Sequence, residues 1–290
     1  TTSSEKYVML VPTDETTGPQ TLTFADANVS GSYTLANGIE ANKFYGLTGA
    51  IAVTLEAAAA PSYLPGDFTV DGNGTKVKFS KGNLYWDGSA FKFETNQWGF
   101  ANSWDPSYVS HFLWSPNKDV AVGTSISVSG TTNDVFFTNA TPTTANPGFH
   151  VNGETGTNQW RTLSVNEWSY LIGESSPGRD ASLRKWSAVT FGESGPTVSG
   201  LIIMPDGWEG TLTATTDYTT WQSLESSGAV FLPASGYRDG TDWNYVGSYG
   251  YCWSSTPYGT DLAYGVYFYS GDASTYNSNR FFGIAVRLVR

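Results

Sequence analysis

The 290-residue chain carries one cysteine, Cys252, and two histidines, His111 and His150. A single thiol excludes an intramolecular disulfide and a multi-thiolate metal site, and two imidazoles leave little from which to build a metal centre. Basic residues are scarce as well: 15 Lys and Arg stand against 26 Asp and Glu, a formal net charge of −11. Nucleic-acid binding needs a basic surplus that releases counterions from phosphate, so no nucleic-acid partner is expected, and anionic membrane surfaces are disfavoured for the same reason. No apolar run approaches the ~18 residues of a membrane span, so no direct membrane insertion is expected. Thr1 onward lacks the charged start and apolar middle of a signal peptide. The chain therefore reads as a mature or trimmed product, in which a signal or lipid anchor removed upstream would leave no trace.

What is present is aromatic and turn-forming: 32 Gly, 13 Pro, 15% aromatic and only 14% charged residues. That balance describes a loop-rich, β-rich chain, and the length suits one large domain accompanied by a smaller one. In residues 1–60, the runs Tyr7–Val11, Thr21–Phe24 and Ala50–Leu55 are bounded by Gly, Asn, Asp and Pro, which predicts strands and turns. Ala57–Ala60, Pro61 and Pro65-Gly66 mark the boundary. The segment is a small β-domain or the end of a fimbrillin-like β-sandwich.

From residue 66 to 290 a second domain is expected. Phe68–Val70 and Lys76–Ser80 flank the turn Asp71-Gly-Asn-Gly74, a hairpin signature. A calcium loop would need glutamate eleven residues after Asp71, where Gly82 stands. Gly82–Trp86 and Phe91–Phe93 turn at Asp87-Gly88, and Trp98, Phe100 and Trp104 read as loop residues packed into a core. Residues 115–160 are Ser/Thr-rich connecting structure. Ser164-Val-Asn-Glu167 is a capping box ahead of Trp168, Leu171 and Ile172. Thr219-Thr-Trp-Gln222 repeats the pattern, with Gly228 placed to end the helix. Val198–Met204 is an apolar run suited to a central strand. In Tyr264–Tyr269, Val266 and Phe268 share one face with Tyr264, and Tyr267 and Tyr269 take the other. Ile284, Val286 and Leu288 likewise face together, with Arg287 opposite.

The last forty residues, Tyr251–Arg290, differ from the rest. From Ser254 onward there is no Lys, Glu, Gln, Met or Trp, and Tyr, Ser, Gly, Asn, Asp and Phe fill the stretch. These are the residues of binding loops, where rigid rings supply area and small polar groups supply adaptable hydrogen bonds. The plain alternative is an aromatic hairpin region of an ordinary sheet.

Seven blocks occur in order: Val77–Leu84, Asn96–Trp98, Trp160–Ser164 with Glu167-Trp168, Gly200–Trp208, Phe231–Arg238, Tyr251–Thr256 and Val286–Arg290. Over Phe68–Arg290 the chain resembles a paralogous surface-protein domain of anaerobic gut bacteria. That domain is similar to the C-type lectin-fold variable proteins of diversity-generating retroelements, and more distantly to formylglycine-generating enzymes. The resemblance implies an α+β fold of C-type lectin type, with a small twisted antiparallel sheet, two helices and many loops, preceded by the small all-β segment. It implies a ligand-binding domain over residues 66–290 with a variable region at about 239–284, diversified at adenines of template Asn codons. Such codons never become Lys, Glu, Gln, Met or Trp.

Matched to that pattern, the framework comprises Trp253, Ser254, Ser255, Ala263, Tyr264, Phe268, Arg280, Gly283, Val286 and Arg287. Gly265, Thr275 and Ser278 fall among the variable positions. The expected ligand-binding set is Tyr258, Thr260, Asp261, Tyr267, Tyr269, Tyr276, Asn279, Phe281 and Phe282, extended by Trp243 and Tyr245 in the preceding loop and by Cys252. The last is reachable from an Asn codon and is not read as a thiol catalyst.

The expected function is therefore non-catalytic: an adhesin or receptor-binding protein at the cell surface, as an outer-membrane lipoprotein or phage-associated, engaging an unknown protein or glycan without cofactor or metal. A pilus-tip or cell-surface structural subunit with a fixed glycan or protein ligand, partnered by other such subunits, is the alternative. An enzyme like the formylglycine-generating ones is disfavoured, because they rely on a cysteine pair. Ser254 or Ser255 with His111 or His150 has no spacing that favours a triad, Asp261 and Asp272 read as loop acids, and the acid-Pro-Asn and Trp-Asn-Asp patterns of calcium-dependent sugar binding are absent.

Overall fold

The computed structural model describes residues 20–25, 30–35, 62–115, 118–124 and 160–290. The strands expected at Tyr7–Val11 and Ala50–Leu55, most of the Ser/Thr-rich stretch, and His150 lie outside the described residues. The chain divides into two compact units, residues 1–61 and 62–290. In the first, β1 (Gln20–Ala25) and β2 (Ser30–Leu35) form an antiparallel pair with Gln20 opposite Leu35. Thr21–Phe24 falls inside β1.

The second unit is mixed α/β and rich in sheet, with small sheets, three short α-helices and no closed barrel among the described residues. It opens on two hairpins. β3 (Phe68–Thr69) pairs with β4 (Lys76–Val77), and Asp71 closes the turn by accepting the N–H groups of Asn73 and Thr75 at 3.0 and 2.9 Å. β5 (Leu84–Trp86) pairs with β6 (Phe91–Phe93), where Asp87 accepts from Ser89 and Ala90. These are Asx turns, in which a carboxylate supplies the acceptor that the reversed backbone lacks. β7 (His111–Phe112) and α1 (Lys118–Ala121) follow, and then β8 (Arg161–Thr162).

α2 (Val165–Leu171) begins on the expected capping box: Ser164 Oγ accepts the Glu167 N–H, and Glu167 accepts the Ser164 N–H at 2.8 Å. Glu167 is also held by Arg161 at 2.6 Å. β9 (Arg184–Thr190) and β10 (Thr197–Ile203) then run antiparallel. β10 lies between β9 and β12 (Val230–Pro233), so the apolar run is one of the two inner strands of a four-stranded sheet completed by β11 (Thr215–Thr216). α3 (Tyr218–Ser226) differs from expectation at its start. Its N-cap is Asp217, which accepts the Thr220 N–H at 2.7 Å, so Thr219 and Thr220 lie in the first turn. A carboxylate caps better than a threonine hydroxyl and also favours the positive end of the helix dipole. Gly228, at φ +94°, ends the segment.

The remaining strands build the seven-stranded sheet, with β7: β13 (Tyr237–Asp239), β14 (Asp242–Asn244), β15 (Tyr249–Tyr258), β16 (Leu262–Tyr269), β17 (Ala273–Asn279) and β18 (Phe282–Ala285), followed by β19 (Leu288–Val289), which pairs with β8. Across the sheet the order is β14-β13-β18-β15-β16-β17, with β7 also paired to β18. Its inner face carries Cys252, Val266, Phe268, Ala273 and Ala285, packed with Trp168, Leu171 and Ile172 of the α2 segment and with Leu201 and Leu232. Its outer face is covered at one end only, where Trp253, Ala263 and Ile284 meet Phe91, Phe112 and Trp114. Ile284 is buried as its parity predicts, with Val286 and Leu288 in the same cluster. Arg287 is buried too, rather than turned to solvent.

The register between β15 and β16 shifts between Trp253 and Pro257. A bulge of this kind leaves ladder groups unpaired, and here indoles and a helix take them over. Trp168 and Trp114 donate their Nε1–H to the carbonyls of Trp253 and Ser254 at 3.3 and 2.8 Å, and Trp253 donates its own to Phe112 O at 2.7 Å. Ser255 N–H bonds Leu163 O at 2.9 Å, and Thr256 Oγ1 accepts from Val165 N–H at the start of α2. The bulge thus ties the centre of β15 to the β7 segment and to α2.

Candidate functional site

On the open end of the outer face, alternation places one ring at every second position. Tyr249 and Tyr251 on β15 stand opposite Tyr269 and Tyr267 on β16, and Gly265, next in the same row, faces Tyr276 on β17. On the other side, Asp239 pairs with Phe282, which puts Tyr237 and Phe282 on the same face. The rings form one connected row. From Phe281 it passes to Phe282 (4.8 Å between centroids), Tyr237 (4.7 Å), Tyr251 (5.6 Å) and Tyr276 (5.6 Å), and on to Tyr267 (5.8 Å) and Tyr269 (6.1 Å, 6° between planes). Tyr249 stacks on Tyr269 at 5.2 Å, and Tyr245 closes on Tyr249 at 5.2 Å and on Tyr237 at 5.9 Å. Offset and edge contacts of this kind add to the area they cover and hold the rings in place.

The row is graded in burial. Tyr245 is 56% exposed, Tyr249, Tyr267 and Tyr269 are half-buried, and Tyr237, Tyr251, Tyr276 and Phe282 lean on the covered cluster beside them. Burial accordingly raises the phenols of Tyr251 and Tyr276 above their ordinary range, with neighbouring phenols adding to it. Gly265 makes the floor beneath Tyr276: a Cβ there would stand 2.6 Å from Cys252 O and 2.9 Å from the Tyr276 ring. A side chain at this position, one of those the resemblance marks as variable, would displace the ring.

Turns and segments around the row are fixed by three buried arginines that donate mostly to carbonyls. Arg280 donates to Leu262 O at 3.0 Å and Gly259 O at 2.8 Å, and its guanidinium lies 4.4 Å from the Trp114 ring. Arg238 donates to His111 O, Gly240 O and Gly123 O at 2.9, 2.9 and 2.6 Å, over Trp104. Arg287 holds Lys81 O and Gln97 Oε1 at 3.0 and 2.9 Å. Burial lowers the pKa values of Arg238 and Arg287 to about 10 and about 9, so both remain charged at neutral pH. At the free edge of the sheet Glu174 accepts the Thr275 N–H at 3.0 Å and its hydroxyl at 2.8 Å, with Ser274 as a further donor. Part of an edge that would otherwise pair with another chain is thereby occupied.

Among the expected site residues, Tyr245, Tyr267, Tyr269, Tyr276, Phe281 and Phe282 are brought together in the row. Others are not. Cys252 pairs with Val266 on the inner face and is 1% exposed; burial pushes its thiol up to about 12. It belongs to the core, and its place in the binding set is corrected. Tyr258 is 46% exposed but pairs with Leu262 beyond the bulge and meets Tyr264 at 5.1 Å, on the opposite side of the sheet from Tyr267. Asn279 shares that register with Leu262. Thr260 and Asp261 are exposed at the turn between β15 and β16, where Asp261 O accepts the Arg280 N–H at 3.0 Å. Trp243 is partly buried, edge-on to the His111 ring at 4.5 Å.

Three rings of the row, Tyr237, Tyr249 and Tyr251, were not expected. The Tyr249-Gly-Tyr251 alternation carries the signal, because Gly250 on the inner face leaves room for the Phe268 ring. His111 is fully buried between Ser110 Oγ and Ser235 Oγ, each at 3.0 Å, and Ser254 Oγ donates instead to Tyr264 O. The structure thus does not bring Ser254 to His111. No group of three His, Cys, Asp or Glu residues stands together as a metal site among the described residues. No helix among them is long and apolar enough to cross a membrane.

A family described as a domain of unknown function (DUF8237) matches residues 205–289, a stretch that contains every ring of the row. No curated protein and no solved structure matches the chain.

Proposed function

We propose that this chain is a non-catalytic ligand-binding protein of the cell surface, an adhesin or receptor-binding module, built on a C-type lectin-like fold related to the variable proteins of diversity-generating retroelements. The observation that carries the reading is the row of rings from Phe282 to Tyr269 on the uncovered end of one face of a sheet whose other face packs Cys252, Val266 and Phe268 into the core. Aromatic rings of restricted mobility supply much of the energy at protein-binding surfaces. Turns and segments around them are held through carbonyls, which suits a scaffold whose surface residues change while its frame does not. The seven sequence blocks and the missing Lys, Glu, Gln, Met and Trp after Trp253 support the same reading.

Two experiments test it. Sequencing the neighbouring DNA is expected to reveal a near-repeat of the codons for Tyr251–Arg290 that differs only at adenines, beside a reverse transcriptase gene; without it, diversification falls and a fixed binding surface remains. Binding of the chain to immobilised protein and glycan panels is expected to vanish in a Tyr245→Ser, Tyr267→Ser, Tyr269→Ser variant that still unfolds cooperatively. Binding that survives in that variant rejects the row as the site.

A further inference from the structure

Between Trp186 and Val289 the only basic residues are Arg238, Arg280 and Arg287, and all three are buried at 1% exposure or less. The same span holds exposed carboxylates at both ends of the ring row. Asp239 stands on the row's own face beside Phe282 and is paired across the hairpin with Asp242, and both are exposed. At the other end Asp272 is exposed in the turn that follows Tyr269, whose N–H bonds Asp272 O at 2.9 Å. Two carboxylates directly opposite each other on a short hairpin repel, and the pair has no ion-pair partner in the structure among the described residues. Asp272 has one cation near it, Arg184 at 3.9 Å, which is partly buried and also donates its Nε to Ile172 O. Burial raises the phenols of Tyr237 and Tyr267, and after neighbouring phenols the carboxylates of Asp239 and Asp272 respectively raise them further.

We infer that the ring row takes a cationic protein surface, in which arginine or lysine side chains of the partner lie across the tyrosine faces and reach the carboxylates at either end. The inference rests on the row being the binding surface and adds the chemistry of what it binds. The faces of aromatic rings are electron-rich and attract guanidinium and ammonium groups. A planar guanidinium both stacks on a ring and forks onto a carboxylate, so arginine fits better than lysine. An acidic rim around an apolar centre also steers a basic partner into register. A neutral glycan would use the rings and donate hydroxyls to Asp239, Asp242 and Asp272, but an Asn amide oxygen accepts the same hydrogen bonds, so only a cationic partner depends on their charge.

The test is a titration of the whole chain, followed by tyrosine and tryptophan fluorescence, with capped oligo-arginine, oligo-lysine and oligo-glutamate peptides and with a neutral oligosaccharide. Oligo-arginine is expected to bind most tightly and oligo-lysine next, with affinity falling by about tenfold or more between about 0.02 and 0.3 M salt. Asp239→Asn, Asp242→Asn and Asp272→Asn together keep the shapes and are expected to weaken oligo-arginine binding by about tenfold or more. Tyr267→Ser with Tyr269→Ser is expected to weaken it similarly. Oligo-arginine binding that is absent, or unchanged in the Asn variant, overturns the inference. Oligosaccharide binding that is lost with the tyrosines and indifferent to the Asn changes overturns the cationic partner but leaves the row as a binding surface. Binding of any probe that ignores the tyrosines rejects both.

Discussion

The guanidinium of Arg280 lies 4.4 Å from the ring centre of Trp114 while donating to the carbonyls of Leu262 and Gly259. Arg280 therefore closes the tip of the β15–β16 hairpin from below. Arg280→Ala removes the donor to the Leu262 and Gly259 carbonyls and the cation over Trp114 from a fully buried position, and is expected to cost about 2–4 kcal/mol. Arg280→Lys recovers only part of that, because an ammonium group cannot reach two carbonyls and stack on the indole together. Denaturant unfolding measures the loss, and hydrogen exchange at residues 259–262 is expected to speed up in both variants.

Trp253 is fully buried and its Nε1–H meets Phe112 O at 2.7 Å. Trp253→Ala is expected to destabilise by about 3–5 kcal/mol through the cavity and the unpaired carbonyl. Tyr258→Ala, at a ring 46% exposed, is expected to change stability by less than about 0.5 kcal/mol. Chemical denaturation of the pair checks the contrast, and equal losses would refute the division between core and surface.

Burial beside Val266 keeps the Cys252 thiol protonated well past neutral pH. A thiol reagent at mild alkaline pH is expected to leave the native chain unlabelled and to label it at the rate of unfolding. Prompt stoichiometric labelling of folded protein would put the residue on the surface instead.

His111 is buried and neutral, its pKa lowered to about 3 by burial and then by the Arg238 charge. The unfolded chain binds a proton at this residue near pH 6.5, so unfolding takes up a proton between about pH 6.5 and 3. Stability from this residue is complete above about pH 6.5 and falls as pH is lowered through that window, by a total on the order of 3–5 kcal/mol. His111→Asn is expected to lose this limb of the pH profile, whatever its stability at neutral pH. Thermal melts from pH 5 to 7 compare the slopes.

Local patterns in the sequence carried much of the fold. The capping box of α2, the Asp71 and Asp87 turns and the period of two in β16 are written in neighbouring residues, and each appears in the structure. What escaped depends on pairing between strands distant in the chain. The inner placement of Cys252 follows from its register with Val266, and the separation of Tyr258 from Tyr267 follows from the bulge after Trp253. Neither is a property of the residues alone. Tyr237 joins the row only because β13 pairs with β18, forty-odd positions away in sequence. The N-cap of α3 was misplaced for a nearer reason: Asp217 and Thr219 both suit the position, and only the geometry decides.

The three indoles and the buried arginines grip this part of the molecule mostly by peptide oxygens. A peptide oxygen is common to all twenty amino acids. The grip at positions 253, 254, 259 and 262 is therefore blind to which letter occupies them, apart from the space it needs. The hairpin is addressed by position rather than by content, so many different texts can be set in the same frame.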